Sequence, residues 1–188
     1  MITDRKSYKE YVAADLVEAY VPKNSLKRFI STIGGNEQCA TYRYVRRLRK
    51  TEYYLNTRKR LRYHWSHLIQ NHLGLRYGIS IAPNRVGKGL NIIHLAGGGG
   101  CILNCQQMGD YCRVQSGVVI GNVGDEGHRP TIGSHVRFGL GCKVYGKITI
   151  GDNAIILPNA VVTHDVPANA IVGGIPAKVI KYKEKELN

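Results

Sequence analysis

The chain is poor in several residue types, and each shortage narrows its structure and chemistry. Among its 188 residues are only 2 Phe, 1 Trp and 2 Met, and its 5 cysteines are odd in number and form no C-x-x-C pair. These cysteines predict neither a disulfide framework nor a zinc site, so reduced thiols in a cytoplasm are expected. No run of about 18 apolar residues occurs, so no membrane-spanning helix is predicted. The first residues lack the basic flank and apolar run of a signal peptide.

Acidic residues are also scarce. The chain has 13 Asp and Glu against 27 Lys and Arg, which gives a formal net charge of +14. Such an excess favours an anionic partner: nucleic acid, a membrane surface or a polyphosphate cofactor. A basic surface that only aids solubility is the alternative.

Residues 1–75 are predicted to form a helical N-terminal region. Apolar residues recur at helical spacing in segments 7–21 and 25–32, which Pro22 separates. A longer basic stretch, residues 42–73, predicts one further helix in which acids are few.

This basic stretch admits several interpretations. A solvated helix face is favoured, while its mixture of arginine and tyrosine also suits a membrane surface or an anionic glycan. Stacking combined with charge would permit nucleic acid as well. A metal cluster is conceivable on the same helix, although a solvated face is preferred, at His64, His67 and His72.

Beyond residue 76 a six-residue period replaces the helical spacing. Six apolar residues follow one another at this interval: Ile132, Phe138, Val144, Ile150, Ile156 and Val162. Four positions after each comes another small or apolar residue: Val136, Cys142, Ile148, Ala154, Ala160 and Val166. The earlier pair Val86 and Ile92 is out of phase, and the slip falls at residues 97–100.

The period predicts a mainly β fold, a parallel β-helix over residues 76–182. Neither a helix nor a single long strand has a period of six, but a short strand plus a corner does. Three such units close a triangular coil of about 18 residues, and stacked coils bury one apolar column per face. The helical region would cap one end, residues 167–183 would form a short C-terminal cap, and residues 183–188 would be a tail.

With the hexapeptide run, the segments 162–167 (VTHDVP) and 173–181 (GGIPAKVIK) make the chain resemble the hexapeptide-repeat, or left-handed β-helix, acyltransferases. The resemblance covers about residues 72–182. It is nearest to the serine acetyltransferase branch and to the capsular or exopolysaccharide O-acetyltransferases related to it. It argues against nucleic acid as a partner.

The resemblance implies a homotrimer with acetyl-CoA as co-substrate, no metal, and active sites in the grooves between subunits. His94, just before a small-residue run, would be the general base, and His128 a second catalytic histidine in a loop between coils. A neutral imidazole can take the acceptor's proton during direct attack on the thioester. Acetyl-CoA would be bound by Gly139, Gly141, Lys143, Asn159, Ala160, Lys178 and Lys181.

Two departures from the serine acetyltransferase pattern direct the choice of acceptor. Ile93 and Ser80 stand where that branch carries aspartates, so carboxylates that would orient the imidazole and bind an ammonium group are missing. We therefore expect O-acetylation of a sugar hydroxyl in a polysaccharide or its precursor, in the cytoplasm or at the inner face of the membrane. Acetylation of a small molecule (serine or an antibiotic) and a non-catalytic trimeric scaffold are the alternatives.

The remaining histidines and cysteines receive structural interpretations. His135 and His164 lie on regular coils and are expected at the surface. Cys101, Cys105, Cys112 and Cys142 occupy small or inward positions, so packing is expected of them and not nucleophilic chemistry.

Overall fold

Four helices precede a solenoid of short strands in the computed structural model, which describes residues 1–95, 99–122, 124 and 127–183. The helices are α1 (Arg5–Glu18), α2 (Ser25–Ile33), α3 (Glu37–Asn56) and α4 (Arg60–Tyr77). Side chains of Asp4, Asn24 and Asn36 cap the first three by accepting backbone N–H groups.

The prediction of one helix over residues 42–73 is wrong. The chain breaks between α3 and α4, where Arg58 adopts a φ of 55°. Neither glycine nor proline marks the break, so the local sequence gives no signal for it.

Short strands build the solenoid, and they lie in three sheets. The first sheet contains β1 (Ile79–Ile81), β3 (Cys101–Leu103), β6 (Val118–Gly121), β9 (Lys143–Tyr145) and β12 (Val161–Val162). The second contains β4 (Gln107–Met108), β7 (Thr131–Ile132) and β10 (Thr149–Ile150). The third contains β2 (Asn91–Ile93), β5 (Arg113–Gln115), β8 (Arg137–Phe138), β11 (Ile155–Ile156), β13 (Ala170–Gly174) and β14 (Ala177–Tyr182).

The predicted parallel β-helix with its helical N-terminal region is confirmed. Neighbouring coils pair in parallel, and in the regular part the partners are 18 residues apart, as for Val161 and Lys143. Both predicted columns are buried in one continuous core. The six-residue period therefore reports side chains that point inward from successive faces.

Two coils are longer than the regular one. Ile79 pairs with Cys101, 22 residues on, and Val119 pairs with Lys143, 24 residues on. The added residues lie at corners, in the segments after β2 and after β6, while the strands keep their parallel register. The first segment is where the predicted phase slip falls.

The two ends of the solenoid are closed differently. Tyr44, Val45 and Leu48 of α3 and Leu73 of α4 join the core at the N-terminal end. At the other end, β14 turns back antiparallel against β13, which ends the parallel pairing of that sheet. Both predicted caps are therefore present as ordered elements.

A buried charged cluster joins the helices to the first coil. Arg49 of α3 is fully buried and contacts Asp15 of α1 at 2.8 Å and Glu52 at 3.2 Å. Its guanidinium also donates to the carbonyls of Val86, at 2.8 Å, and Gly87. Although burial disfavours the charge, the two carboxylates raise the pKa of Arg49. The interpretation of the basic stretch as a solvated face is thus wrong for Arg49.

Candidate functional site

His94 lies at the corner that follows β2, where the chain leaves the third sheet for the first. Its φ is 63°, a conformation uncommon for residues other than glycine. Its side chain is 60% exposed, whereas Ile92 two positions earlier is buried. The imidazole therefore faces away from the core, as its offset from Ile92 predicts.

A carboxylate from the helical region lies beside His94. Glu37 is the first residue of α3, whose N-terminus is capped where the Asn36 side chain accepts the Cys39 N–H at 2.9 Å. Glu37 Oε1 accepts the backbone N–H of His94 at 3.2 Å and lies 3.9 Å from His94 Nδ1. The sequence predicts a helix start near Asn36, but no local signal predicts which distant residue Glu37 meets.

A cleft of about 640 Å³ opens next to this corner. The end of α2, the start of α3, the end of α4 and the solenoid residues Leu95 and Gly100 line it. Glu37, Arg43 and Arg76 place charged groups in its wall. Across the described part of the chain, neither guanidinium lies within 4 Å of a carboxylate. The cleft therefore suits a small anionic or zwitterionic molecule.

Below His94, a column of turns runs along the same corner of the solenoid. Gly117, Gly141 and Asn159 occupy successive coils with φ values of 73°, 69° and 57°. A Cβ on Gly117 would lie 3.2 Å from Gly141 Cα, and one on Gly141 would lie 2.4 Å from Asn159 Oδ1. Because two levels of the column exclude side chains, an extended molecule can approach the backbone there.

Four of the residues predicted to bind acetyl-CoA are accessible along this part of the solenoid. Gly141 and exposed Asn159 belong to the column, and Lys178 and Lys181 are exposed on β14. Lys143 points its ammonium at the same corner, where it donates to the carbonyl of Gly117.

Gly139 and Ala160 are more enclosed than the other predicted contacts. Ala160 is fully buried, and its carbonyl accepts the Lys143 N–H at 2.8 Å. A Cβ on Gly139 would lie 2.6 Å from the Pro158 nitrogen. These two residues give the corner its shape and offer little surface of their own to a ligand.

His128 is exposed in the segment between β6 and β7. That segment joins the first sheet to the second, so His128 and His94 lie at different corners of one chain. The neighbouring residues 125 and 126 lie outside the described residues, as do residues 96–98 after His94.

The cysteines are core residues. All five are buried and unbonded. Burial raises the pKa of the Cys101, Cys112 and Cys142 thiols to about 12 and that of Cys105 to about 11. These thiols stay protonated at neutral pH, which agrees with the packing expected of them.

The remaining histidines make local contacts. His135 stacks on Tyr111 with ring centroids 5.3 Å apart, and His67 stacks on Tyr63 at 5.4 Å. His164 Nδ1 lies 3.0 Å from the hydroxyl of Thr163. In the residues that the structure covers, no three His, Cys, Asp or Glu side chains are grouped so as to hold a metal ion.

None of the described helices combines the length and apolar character needed to cross a bilayer. The predicted contact of the basic N-terminal helix with a membrane surface or an anionic glycan, and the cytoplasmic location, stay predictions.

Comparison with known proteins gives consistent similarities. The family model described as "Bacterial transferase hexapeptide (six repeats)" matches residues 129–164. A serine acetyltransferase of Synechococcus elongatus is 40% identical over 116 residues, covering 60% of this chain and 47% of that protein. One of Helicobacter pylori is 41% identical over 106 residues, covering 55% and 61%. The chain thus spans about half to three fifths of these relatives.

Solved structures show the same fold. The serine acetyltransferase of Neisseria gonorrhoeae in complex with serine matches with a TM-score of 0.68 and 27% identity, covering 94% of this chain and 70% of that one. The enzyme of Brucella abortus in complex with coenzyme A matches with a TM-score of 0.71 at 21% identity, covering 96% and 70%.

The expectation of a saccharide acceptor is wrong. The relatives at 40% and 41% identity are serine acetyltransferases, so the similarity favours a small molecule and not a polysaccharide. The expectation rested on the missing aspartates at Ile93 and Ser80. It overlooked that folding can deliver a carboxylate from elsewhere, and Glu37 of α3 does lie beside His94.

Proposed function

We propose that this chain, a hexapeptide-repeat β-helix protein of the acyltransferase family, transfers the acetyl group of acetyl-CoA to the hydroxyl of a small acceptor. Free serine is the first candidate, because the similar proteins bear the name serine acetyltransferase. The observation that carries the proposal is the placement of His94 between a charged cleft and a column of accessible backbone.

His94 acts as the general base in this proposal. Its neutral imidazole takes the proton of the acceptor hydroxyl while the oxygen attacks the thioester carbonyl. The tetrahedral oxyanion is stabilised by backbone N–H groups of the corner, where glycines leave the approach open. Collapse breaks the C–S bond, and the imidazolium returns its proton to the departing CoA sulfur. The products are the O-acetyl ester and free CoA.

The acceptor enters through the cleft beside His94. A hydroxy amino acid carries a carboxylate, for which Arg43 and Arg76 offer planar, permanently charged partners. The cleft volume of about 640 Å³ fits a small molecule and lies in the usual range for such sites.

Acetyl-CoA lies along the column of Gly117, Gly141 and Asn159, with its thioester toward His94. Lys178 and Lys181 on β14 are exposed cations suited to its phosphates. Lys143, held at the corner by the Gly117 carbonyl, adds positive charge beside the pantetheine path.

A homotrimer completes the site. His128 lies at a different corner from His94 within one chain, so the two predicted catalytic histidines can meet only if the His128 loop of one subunit covers the His94 corner of another. Leu61, Trp65 and Leu68 of α4, which are 87%, 68% and 63% exposed, are further apolar surface that association can bury. Light scattering tests the trimer, and a monomer at micromolar concentration would contradict it.

The function is tested by incubating the purified chain with acetyl-CoA and serine, following CoA release and identifying the O-acetyl product by mass spectrometry. His94→Ala should abolish most turnover. His135→Ala is a matched control, since His135 also has a positive φ at a solenoid corner but lies away from the cleft. Serine-dependent CoA release supports the proposal. Release that no small hydroxyl compound stimulates would favour the non-catalytic scaffold.

A further inference from the structure

We propose that Glu37 is a positioning residue for His94: its carboxylate fixes the corner backbone and holds the imidazole with Nδ1 protonated and Nε2 free to accept a proton. The inference rests on the proposed role of His94 as the base. It assigns a function to a residue of the helical region that no sequence motif marks.

Two contacts from one carboxylate carry the inference. Glu37 Oε1 accepts the backbone N–H of His94 at 3.2 Å, and the same oxygen lies 3.9 Å from His94 Nδ1. The first contact stabilises a residue whose φ of 63° is otherwise unfavourable. The second places negative charge on the Nδ1 side of the ring and leaves the Nε2 side open.

The separation of 3.9 Å is an ion-pair distance and is too long for a hydrogen bond. Catalytic hydrogen bonds are often long in the absence of substrate and shorten in the complex. A carboxylate that accepts from Nδ1–H selects the tautomer whose Nε2 can act as a base, and it stabilises the imidazolium that proton transfer creates.

The position of Glu37 is fixed by the rest of the fold. It begins α3, and the positive end of the helix dipole favours its charge. The same helix is attached to the solenoid by Arg49, which donates to the Val86 carbonyl, and by Glu52, which accepts the Asn84 N–H at 2.9 Å. The carboxylate is therefore presented by a helix that the first coil holds in place.

The test compares Glu37→Gln, Glu37→Ala and the control Glu10→Gln. Glu10 is a surface carboxylate of α1 that pairs with Lys88, away from the site. Glu37→Gln keeps an oxygen that can accept the His94 N–H but removes the charge. We expect kcat for acetyl transfer to fall about 10- to 100-fold, less than for a fully buried triad, because His94 is exposed to solvent. KM for acetyl-CoA should stay within about twofold, and Glu10→Gln should match the wild type.

A second readout does not need turnover. Nitrogen-15 NMR of histidine-labelled protein, with His94 identified from the spectrum of His94→Ala, reports which ring nitrogen carries the proton. We expect the Nδ1–H form in the wild type and the Nε2–H form, which predominates in free histidine, in Glu37→Ala.

The outcomes separate the two proposals. If Glu37→Gln keeps kcat within about twofold of the wild type, or if the His94 tautomer is unchanged in Glu37→Ala, the positioning role of Glu37 is wrong. If the wild type acetylates no small acceptor, the proposed function fails, yet the NMR comparison still decides whether Glu37 sets the tautomer of His94.

Discussion

Removing the guanidinium of Arg49 should strongly destabilise the protein. Arg49 is fully buried against Asp15 and Glu52, and it donates to two carbonyls of the first coil. Arg49→Met keeps most of the side-chain volume but leaves two buried carboxylates without their cation. Breaking one partner of a buried ion pair costs about 3–5 kcal/mol in the free energy of unfolding.

The corresponding change in melting temperature is large enough to measure easily. At roughly 2–4 °C per kcal/mol for a chain of this size, Tm should fall by about 6–20 °C. Unfolding should be followed by circular dichroism at a fixed protomer concentration, because association shifts apparent stability. Arg46→Met, an exposed position on the same helix, is the control and should change stability by less than about 0.5 kcal/mol.

A compensating variant sharpens the prediction. Adding Asp15→Asn and Glu52→Gln to Arg49→Met removes the unpaired charges and should recover part of the lost stability. If Arg49→Met melts together with Arg46→Met, the buried cluster does not hold the helices to the solenoid, and the reasoning is refuted.

Three further predictions concern the site and the core. His94→Ala should lower turnover by about 10²–10⁴-fold with an unchanged melt; retention of a third of the turnover would place the base elsewhere. Arg43→Gln and Arg76→Gln should each raise KM for serine about tenfold or more while KM for acetyl-CoA stays constant, and equal KM values for serine would exclude the cleft as the acceptor site. Because burial raises the Cys101 pKa to about 12, iodoacetamide at pH 9 should leave Cys101 unmodified in the folded protein, and mass spectrometry showing rapid alkylation would contradict its burial.

The solenoid could be predicted because its rule is local. Each six-residue unit needs an apolar residue at one position and a small one four later, as at Ile150 and Ala154, and both are fully buried. Coil size then follows from closing a triangle, so the 18-residue pairing of Val161 with Lys143 was implicit in the sequence. The outward direction of His94 follows from the same period.

The helical region and the acceptor site depend on contacts that the local sequence does not encode. The break at Arg58 carries no glycine or proline, and Arg49 looks like its exposed neighbours until Asp15, 34 residues earlier, folds against it. Glu37 meets His94 across 57 residues. Reading the missing aspartates as a missing carboxylate led to the wrong acceptor, because side-chain chemistry at a site is set in three dimensions.

The placement of the added residues in the two longer coils makes the corners of this solenoid natural sites for inserting new sequence. A 22-residue and a 24-residue coil stack on 18-residue coils without loss of parallel register. Lengthening a flexible loop costs only about 0.6 kcal/mol per doubling, so peptides grafted after β2 or β6 can vary while the ladder stays unchanged. The segments that begin with His94 and contain His128 are these two, which separates the part of the chain that diversifies from the part that must repeat.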